Sequence, residues 1–508
     1  MEFTVLTSFP MFLLLVLGLV FLYIKRAHNY WKRKGVSQLK PNLIFGDVKS
    51  ITTGMKTQSD FYAKIYFNAK SQGLKGIGIY AGWTPVYIPT NAELAKRILV
   101  KDFSSFDGSG MYYHEKDSLT MNIFFVGGDQ WKKQRTKMTP IFTSGKLKQM
   151  FGIIKDKGET MIRIVQEHAE LSQLMDIKDL AARYTTDTIA EVAFGLDSNT
   201  LRHPQHKLRE VGRSMVRPEL WKRTVELIFS FDFLGNLGHR MFPSDAYEYF
   251  LPMIKSSIEY REKTGFHRVD FLQLLMQLRN SLVSDTSKFQ NDQKSSLFSE
   301  KEMLSNAFII YAGGFETSSS TICFAMYELA SNPEIQENLR KEIWDSLEKN
   351  NQQITYESVS EMTYLNKILK ETLRKYPVLS IITRACSRDY DIDNTVTLKK
   401  GTRVIIPVTG LHWDPEFYPN PEQFNPENFS PEKITSRPEG TYLPFGDGPR
   451  LCIGMRFGVL QSKLALVLLI KDFRFTLDEN RKGKPLEFAK GMFLTSSKNP
   501  IMIKATKI

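Results

Sequence analysis

One cysteine in this chain stands apart from the other two. Cys452 lies in Phe445-Gly-Asp-Gly-Pro-Arg-Leu-Cys452-Ile-Gly454, a tight glycine-rich loop that leads into an apolar helical stretch from Met455 to Leu469. Small residues let the backbone approach a flat ligand and aim N–H groups at one sulfur. Such groups, with the start of the following helix, stabilise a thiolate, and a thiolate is a strong axial donor to iron. Taken alone, the segment also fits a buried structural cysteine behind a turn. Cys323 sits in an apolar helical run and reads as a small core residue, whereas Cys386 lies in a polar stretch with no visible partner. Three cysteines without a CxxC pair argue against a disulfide framework and for a reducing compartment.

Three other segments place reactive types at useful spacing. Gly313-Gly-Phe-Glu316-Thr317-Ser-Ser-Ser falls inside the apolar helical pattern Glu302 to Ala330. Each mid-helix glycine costs about 1 kcal/mol against alanine, so something is expected to lie close to the backbone there. The acid–alcohol pair could relay protons; a kinked helix with a satisfied Ser/Thr cluster is the plainer alternative. Glu371-Thr-Leu-Arg374 sets acid and base on one helix face, a pairing also common on surfaces. Trp131-Lys-Lys-Gln-Arg135 puts an aromatic and a guanidinium one turn apart. Arginine there suits carboxylate recognition, although a solvated helix face has the same pattern.

The elements that must hold these residues are mostly helical. Lys146 to Gln173, Glu302 to Ala330 and Leu365 to Lys375 carry apolar residues at three- and four-residue spacing. Gly76 to Ile88 alternates around a turn and predicts a β-hairpin; Ala81 and Pro85 exclude a nucleotide-binding glycine loop there. Polar sequence from Ser281 to Glu300 predicts an exposed loop, β-type runs return from Asp389 to Val408, and Asp414 to Pro449 predicts an irregular, proline-rich meander. No repeat and no second linker divide residues 46–508, which therefore read as one large domain.

Charge and the N-terminus bound location and partners. The net charge of +13 favours an anionic membrane, an acidic protein or nucleic acid. With no zinc-finger spacing, RNP-like motif or basic tail, nucleic acid is not expected as a partner. Phe3 to Ile24 holds no charged side chain, and its 22 residues make a helix of about 33 Å, enough to cross a bilayer core. Glu2 precedes it, and Lys25, Arg26, Lys32, Arg33 and Lys34 follow it. That polarity and the lack of an A-x-A site favour an uncleaved anchor over a signal peptide, with the body of the chain cytosolic. The resulting division is 1–24 as transmembrane signal anchor, 25–45 as basic juxtamembrane linker broken by Gly35 and Pro41, and 46–508 as the catalytic domain.

Taken together, the four motifs resemble those of the cytochrome P-450 superfamily in type and in order: WxxxR at Trp131 to Arg135, [AG]GxET at Gly313 to Thr317, ExxR at Glu371 to Arg374 and FxxGxRxCxG at Phe445 to Gly454. Thr139 to Lys146, Ala312 to Ser319 and Arg450 to Gly458 are further similar to insect microsomal members of clan 3, the xenobiotic-metabolising branch. The resemblance implies a mainly α fold with a smaller β region: one haem-thiolate domain behind an N-terminal transmembrane helix, carrying haem b. It implies Cys452 as proximal ligand with Phe445 beside the sulfur. Trp131, Arg135, Arg384 and Arg450 would hold the propionates, Glu316 and Thr317 would deliver protons, and Glu371 and Arg374 would lock the core behind the haem. The substrate pocket would draw on three apolar stretches, Phe103 to Phe125, Leu227 to Leu237 and Val378 to Ile382, with Phe106, Tyr112, Phe124, Phe233, Leu379 and Ile381 as its walls.

The activity so implied is insertion of one atom of O2 into lipophilic substrates, with plant toxins or insecticides as the expected class and an endogenous lipid or hormone as the alternative. Because no flavin or nicotinamide motif is present, electrons come from a separate NADPH-cytochrome reductase, with cytochrome b5 as an optional second donor. The basic segment Lys132, Lys133 and Lys137 is the expected docking face, and the endoplasmic reticulum membrane the expected location. Two rival classes are a haem-thiolate isomerase or lyase, against which Glu316-Thr317 speaks, and a non-catalytic haem sensor, which has no use for an anchor plus proton relay. One departure from the pattern is Pro426-Glu-Asn428-Phe429: Asn428 replaces the arginine that usually completes a triad with Glu371 and Arg374, and a weaker lock is expected. A milder one is Gly313, where close relatives usually have alanine.

Overall fold

The computed structural model describes every residue except 1, 218, 285–297, 393–395 and 482. Its axis is the helix Glu300–Ser331, opened by a capping box in which Ser299 and Glu302 each accept from the other's backbone N–H. The helix is apolar almost all round and is accordingly buried almost all round. Helix Ile177–Phe194 crosses it so closely that a Cβ on Gly314 would stand 2.6 Å from Ile189 Cδ1. The helix after the cysteine loop, Met455–Asp472, packs on another side. Phe250, Phe308, Tyr311 and Phe315 fill the space between neighbours with ring pairs 4.8–5.3 Å apart.

The predicted helices form as Ser144–Glu170 and Thr363–Lys375. The predicted loop from Ser281 to Glu300 is only partly one: helix Phe271–Ser284 runs into it, Phe298 is 2% exposed, and most of the remainder lies outside the described residues.

Among the described residues, nine strands complete the fold: β1 (Gly76–Ala81), β2 (Thr84–Pro89), β3 (Leu174–Asp176), β4 (Ile382–Ala385), β5 (Tyr390–Asp391), β6 (Thr397–Leu398), β7 (Arg403–Ile406), β8 (Phe473–Leu477) and β9 (Met502–Lys507). They make sheets of order β1-β2-β7-β4, β3-β9-β8 and β5-β6. β1 and β2 are the predicted hairpin, with Ile77 facing Ile88 and Ile79 facing Val86. The architecture is therefore mainly helical with a smaller β region, as expected.

Helix Glu2–Ala27 contains the apolar stretch, with residues 10–27 at a mean hydropathy of 1.8 and Met11 to Leu15 exposed. Residues 25–45, expected as a basic juxtamembrane linker, are held in part on the β1–β2 hairpin. Trp31 is fully buried, its indole Nε1 donates to Ile79 O at 3.1 Å, and Tyr80 Oη accepts its backbone N–H. His28 Nε2 lies 3.0 Å from Gly82 O. The exit of the long helix is thus docked on the hairpin, which fixes the orientation of the domain relative to that helix.

Candidate functional site

The loop at Cys452 is set by backbone pairing. Cys452 N–H donates to Phe445 O at 2.9 Å, Leu451 N–H to Gly448 O at 3.0 Å and Gly446 N–H to Leu443 O at 3.1 Å. Gly448 has φ +69°, and a Cβ there would meet Leu99 O at 2.0 Å, so only glycine serves at this contact. Burial pushes the Cys452 thiol up, while the N–H groups of Gly454 and Met455 and the Arg135 guanidinium oppose it. The residue nonetheless keeps its own surface uncovered. It lies among buried neighbours, yet the residue itself is not packed over, as suits a ligand side chain rather than a core cysteine. Cys323 and Cys386 are buried, with their thiols pushed up by burial.

Three arginines gather near this loop with too few anions. Arg450 donates from Nε to Asp107 O at 2.9 Å, donates to Val126 O, and lies 4.7 Å over the Trp131 ring. Burial, then Arg384 and Arg135, pushes it down to about 9 against the pull of Asp107. Arg384 on β4 is pushed down to about 10 by burial; it donates to its neighbour Thr383 O, and its buried Nε has no partner among the described residues. Arg135 is also pulled down by burial, opposed by Cys452. Buried guanidiniums, one of them depressed further by the other two, call for an anionic partner. A flat macrocycle with two carboxylates and an iron seeking one thiolate meets that need, and the residues present fit haem.

The central helix packs on the helix that follows the cysteine, and its two glycines have different reasons. Gly314 is demanded by the contact with Ile189; a Cβ on Gly313 would meet nothing within 4 Å. Thr317 Oγ1 donates to Gly313 O at 2.6 Å, so the hydroxyl sits on that open side. One residue on, a Cβ at Gly458 would lie 3.6 Å from Ser318 Oγ, where the central helix crosses the helix after the cysteine. Glu316 does not accompany Thr317. It is 7% exposed and faces Lys178, Arg209, Arg213 and Arg217, whose charges oppose the rise that burial imposes on its carboxyl. Arg213 and Arg217 also line a surface cavity of about 520 Å³ with Glu210 and Asp245. The acid and the alcohol therefore look in different directions from one helix.

Behind the loop, Glu371 and Arg374 are fully buried and paired twice, Nε to Oε2 and Nη2 to Oε1, both at 2.8 Å. Glu371 Oε1 also accepts from Asn425 N–H at 3.0 Å and Asn428 Nδ2 at 3.2 Å. Asn428 thus takes part in the network instead of leaving a gap in it. Arg437 donates to Asn428 O at 2.6 Å and Phe417 O at 3.1 Å and lies 4.0 Å over the Tyr418 ring. Neither Arg437 nor His412, which touches Arg374, was legible as part of the site. A lone charge in a proline-rich meander gives no periodicity to read.

The expected pocket walls divide. Phe445 and Leu379 are half-buried against one cluster with Leu369, Leu373 and Val378, and Ile381 is half-buried against another beneath the β1-β2 sheet. Phe124 is half-buried beside Phe125. Phe106 is no wall: it is fully buried against Tyr390, at 4.7 Å between rings, in the cluster that holds Cys386 and Leu398. Tyr112 is 2% exposed and tied to His239 O at 3.0 Å, with its ring edge on Phe231. Phe233 faces outward at 48% exposure, stacked on Phe229.

The family model described as Cytochrome P450 matches residues 38–504. Cytochrome P450 6A1 of Musca domestica is 39% identical over 99% of this chain and 98% of its own length. The probable cytochrome P450 6a14 and the cytochrome P450 6a2 of Drosophila melanogaster are 38% and 36% identical, covering 97% and 96% of this chain and 98% and 97% of their own lengths. With the thiol, the under-paired arginines and the alcohol disposed as described, this chain belongs to the cytochrome P450 family, the monooxygenases that carry haem b on a cysteine thiolate.

Proposed function

We propose that this enzyme oxidises bulky, mainly apolar foreign compounds that reach it from the membrane. The observation that carries the reading is the continuity of apolar surface around the anchor. The β1–β2 turn touches both sides of it: Trp83 meets Tyr23 edge-on at 6.2 Å, and a Cβ at Gly82 would stand 2.3 Å from Leu227 O. Beyond Leu227, Phe229, Phe233 and Leu237 are 45%, 48% and 71% exposed, and Leu43 and Ile44 are 43% and 49% exposed. Exposed apolar patches of this kind mark membrane or ligand contact. A lipophile partitioned into the bilayer is then delivered to Phe124, Leu379 and Ile381, whose apolar surfaces discriminate weakly among hydrophobic shapes.

Bound haem supplies the oxygen-activating chemistry; the side chains supply the rest. Cys452 Sγ presents the ligand, backed by the N–H groups of Gly454 and Met455. Arg135, Arg384 and Arg450 bind and orient the two carboxylates. Thr317 Oγ1, tied to Gly313 O, holds a hydroxyl on the open side of the central helix. Glu316, whose burial favours the protonated form, passes protons inward from the cavity lined by Arg213 and Arg217. A reductase supplies electrons, docking on the helix that carries Lys132, Lys133 and Lys137; cytochrome b5 uses the same face. The helix Glu2–Ala27 anchors the protein in the endoplasmic reticulum membrane.

The test is a panel of unrelated lipophiles with full-length enzyme, reductase and NADPH. Turnover of several compound classes is expected. Turnover of a single class of lipid or hormone would replace this reading with an endogenous one. Alkaline carbonate extraction should leave the chain in the membrane pellet.

A further inference from the structure

His412 is fully buried between the helix Thr363–Lys375 and the segment that enters the cysteine loop. Its two ring nitrogens have different partners. Nδ1 lies 3.2 Å from Arg374 O, an acceptor only, and Nε2 accepts the Leu443 N–H at 2.8 Å. These partners admit one tautomer: Nδ1 carries the proton and Nε2 is bare. The carbonyls of Arg374 and Leu373 favour charge on the ring, but its burial and the neighbouring cations outweigh them. Burial, then Arg374, lowers its pKa to about 3, and Arg437 acts in the same direction. Arg374 in turn donates to His412 O at 3.1 Å, so each residue holds the other. The ring also stacks on Tyr442, at 5.4 Å and 21°, and Tyr442 Oη donates to Lys370 O at 3.1 Å.

The bond to Leu443 is the first of a short series. Leu443 O accepts from Gly446 N–H at 3.1 Å, and Phe445 O accepts from Cys452 N–H at 2.9 Å. The bidentate Glu371–Arg374 pair is thereby connected through one neutral imidazole to the peptide that sets the cysteine. No other side chain among the described residues bonds the backbone of residues 443–446.

We propose that His412 is the positioning residue that transmits the Glu371–Arg374 lock to the cysteine loop and so fixes Cys452 Sγ for coordination. The inference rests on Cys452 being the iron ligand. Core packing alone would need a ring of this size; positioning needs an acceptor for Leu443 N–H and a donor for Arg374 O.

Three variants of the full-length chain separate the two roles. In His412→Gln the amide oxygen reaches the Nε2 position and restores the acceptor. In His412→Asn the amide nitrogen reaches the Nδ1 position and restores only the donor. His412→Phe keeps the ring and restores neither. The readout is the share of the red-shifted carbon monoxide band of the reduced protein, which reports thiolate coordination, at equal haem content. The expected order is wild type, Gln, Asn, Phe. The Phe variant should show a roughly tenfold lower ratio of thiolate to thiol band, the scale on which one unsatisfied buried hydrogen bond moves an equilibrium. Amide exchange at Leu443 should accelerate in Asn and Phe but not in Gln. An unchanged band ratio in Phe, or equal ratios in Gln and Asn, would overturn the proposal. Should Phe fail to incorporate haem, the Gln–Asn comparison decides alone. Cys452→Ser, made in parallel, should lose the band; survival there would remove the ligand assignment and the proposal with it.

Discussion

Asn428 Nδ2 donates to Glu371 Oε1 at 3.2 Å from a side chain only 3% exposed. From sequence, asparagine at this position predicts a weakened lock that arginine would repair. The geometry reverses that expectation. Both Glu371 oxygens are engaged by Arg374, Oε1 also accepts from Asn425 N–H, and the Asn428 carbonyl is occupied by Arg437. Asn428→Arg would bring a third guanidinium beside Arg374 and Arg437 into filled space, and such overpacking costs about 1–3 kcal/mol. Thermal retention of haem should fall in this variant, read as loss of haem absorbance on heating. Increased retention would show that the network has room for another cation.

Arg384 and Arg450 carry charge in surroundings that push it down, and Arg384 Nε has no partner among the described residues. Carboxylates on the ligand should therefore dominate haem affinity. Removing one donor of a charge-assisted bond costs about 1.5–3 kcal/mol. Arg384→Gln and Arg450→Gln should each release haem to an apo-acceptor about ten- to a hundredfold faster. The dimethyl ester of haem should bind the unaltered protein weakly and gain little from either arginine. Equal retention of the acid and the ester would show that the arginines serve the fold alone.

Thr317 and Glu316 are adjacent in sequence but separated in role. Thr317→Ala removes a hydroxyl bonded only to its own helix, so folding should survive while peroxide release rises at the expense of product. Glu316→Gln acts from the opposite face. Burial raises the Glu316 pKa above its ordinary 4.5, so the folded chain keeps a proton that the unfolded chain has lost. This group's contribution to stability therefore declines as pH rises from 4.5 through the raised value, and is constant beyond it. Glu316→Gln should flatten that part of the stability–pH curve and reduce proton-limited turnover. A variant with full coupling and an unchanged pH profile would leave Glu316 a structural acid.

What the sequence disclosed follows physical locality. Cys452, Glu371-Arg374 and Trp131-Arg135 are each defined within ten residues, so their spacing is readable, but only the resemblance of the whole set to one family singled them out; the hairpin Gly76 to Ile88 was visible through its alternation. Phe106 and Phe233 failed for the converse reason. An aromatic in so short a segment has no period to read, and only tertiary contact decides whether it packs on Tyr390, as Phe106 does, or faces out, as Phe233 does. Residues 25–45 read as a juxtamembrane linker because Gly35 and Pro41 interrupt them, and the docking of the stretch by the single indole of Trp31 had no local signal. His412 works through two backbone groups 38 and 31 residues away, and no local pattern encodes such a bond.

The division of the apolar candidates sets the last prediction. Phe124 and Ile381 keep part of their surface uncovered, whereas Phe106 is fully covered by the Tyr390 cluster. Truncating a wall residue changes which atoms of a bound lipophile lie near the iron; truncating a core residue changes how much of the protein is folded. Phe124→Ala and Ile381→Ala should therefore redistribute products from a multi-site substrate while leaving thermal stability within about 1–2 kcal/mol of the parent, as expected for half-buried side chains. Phe106→Ala should cost about 3–5 kcal/mol in stability and, in the fraction that folds, give the parental product ratio. Chromatographic product ratios together with melting curves on the same three preparations provide the measurement. A Phe106→Ala enzyme with altered regioselectivity, or Phe124→Ala and Ile381→Ala enzymes with unaltered ratios, would move the substrate away from the wall assigned to it.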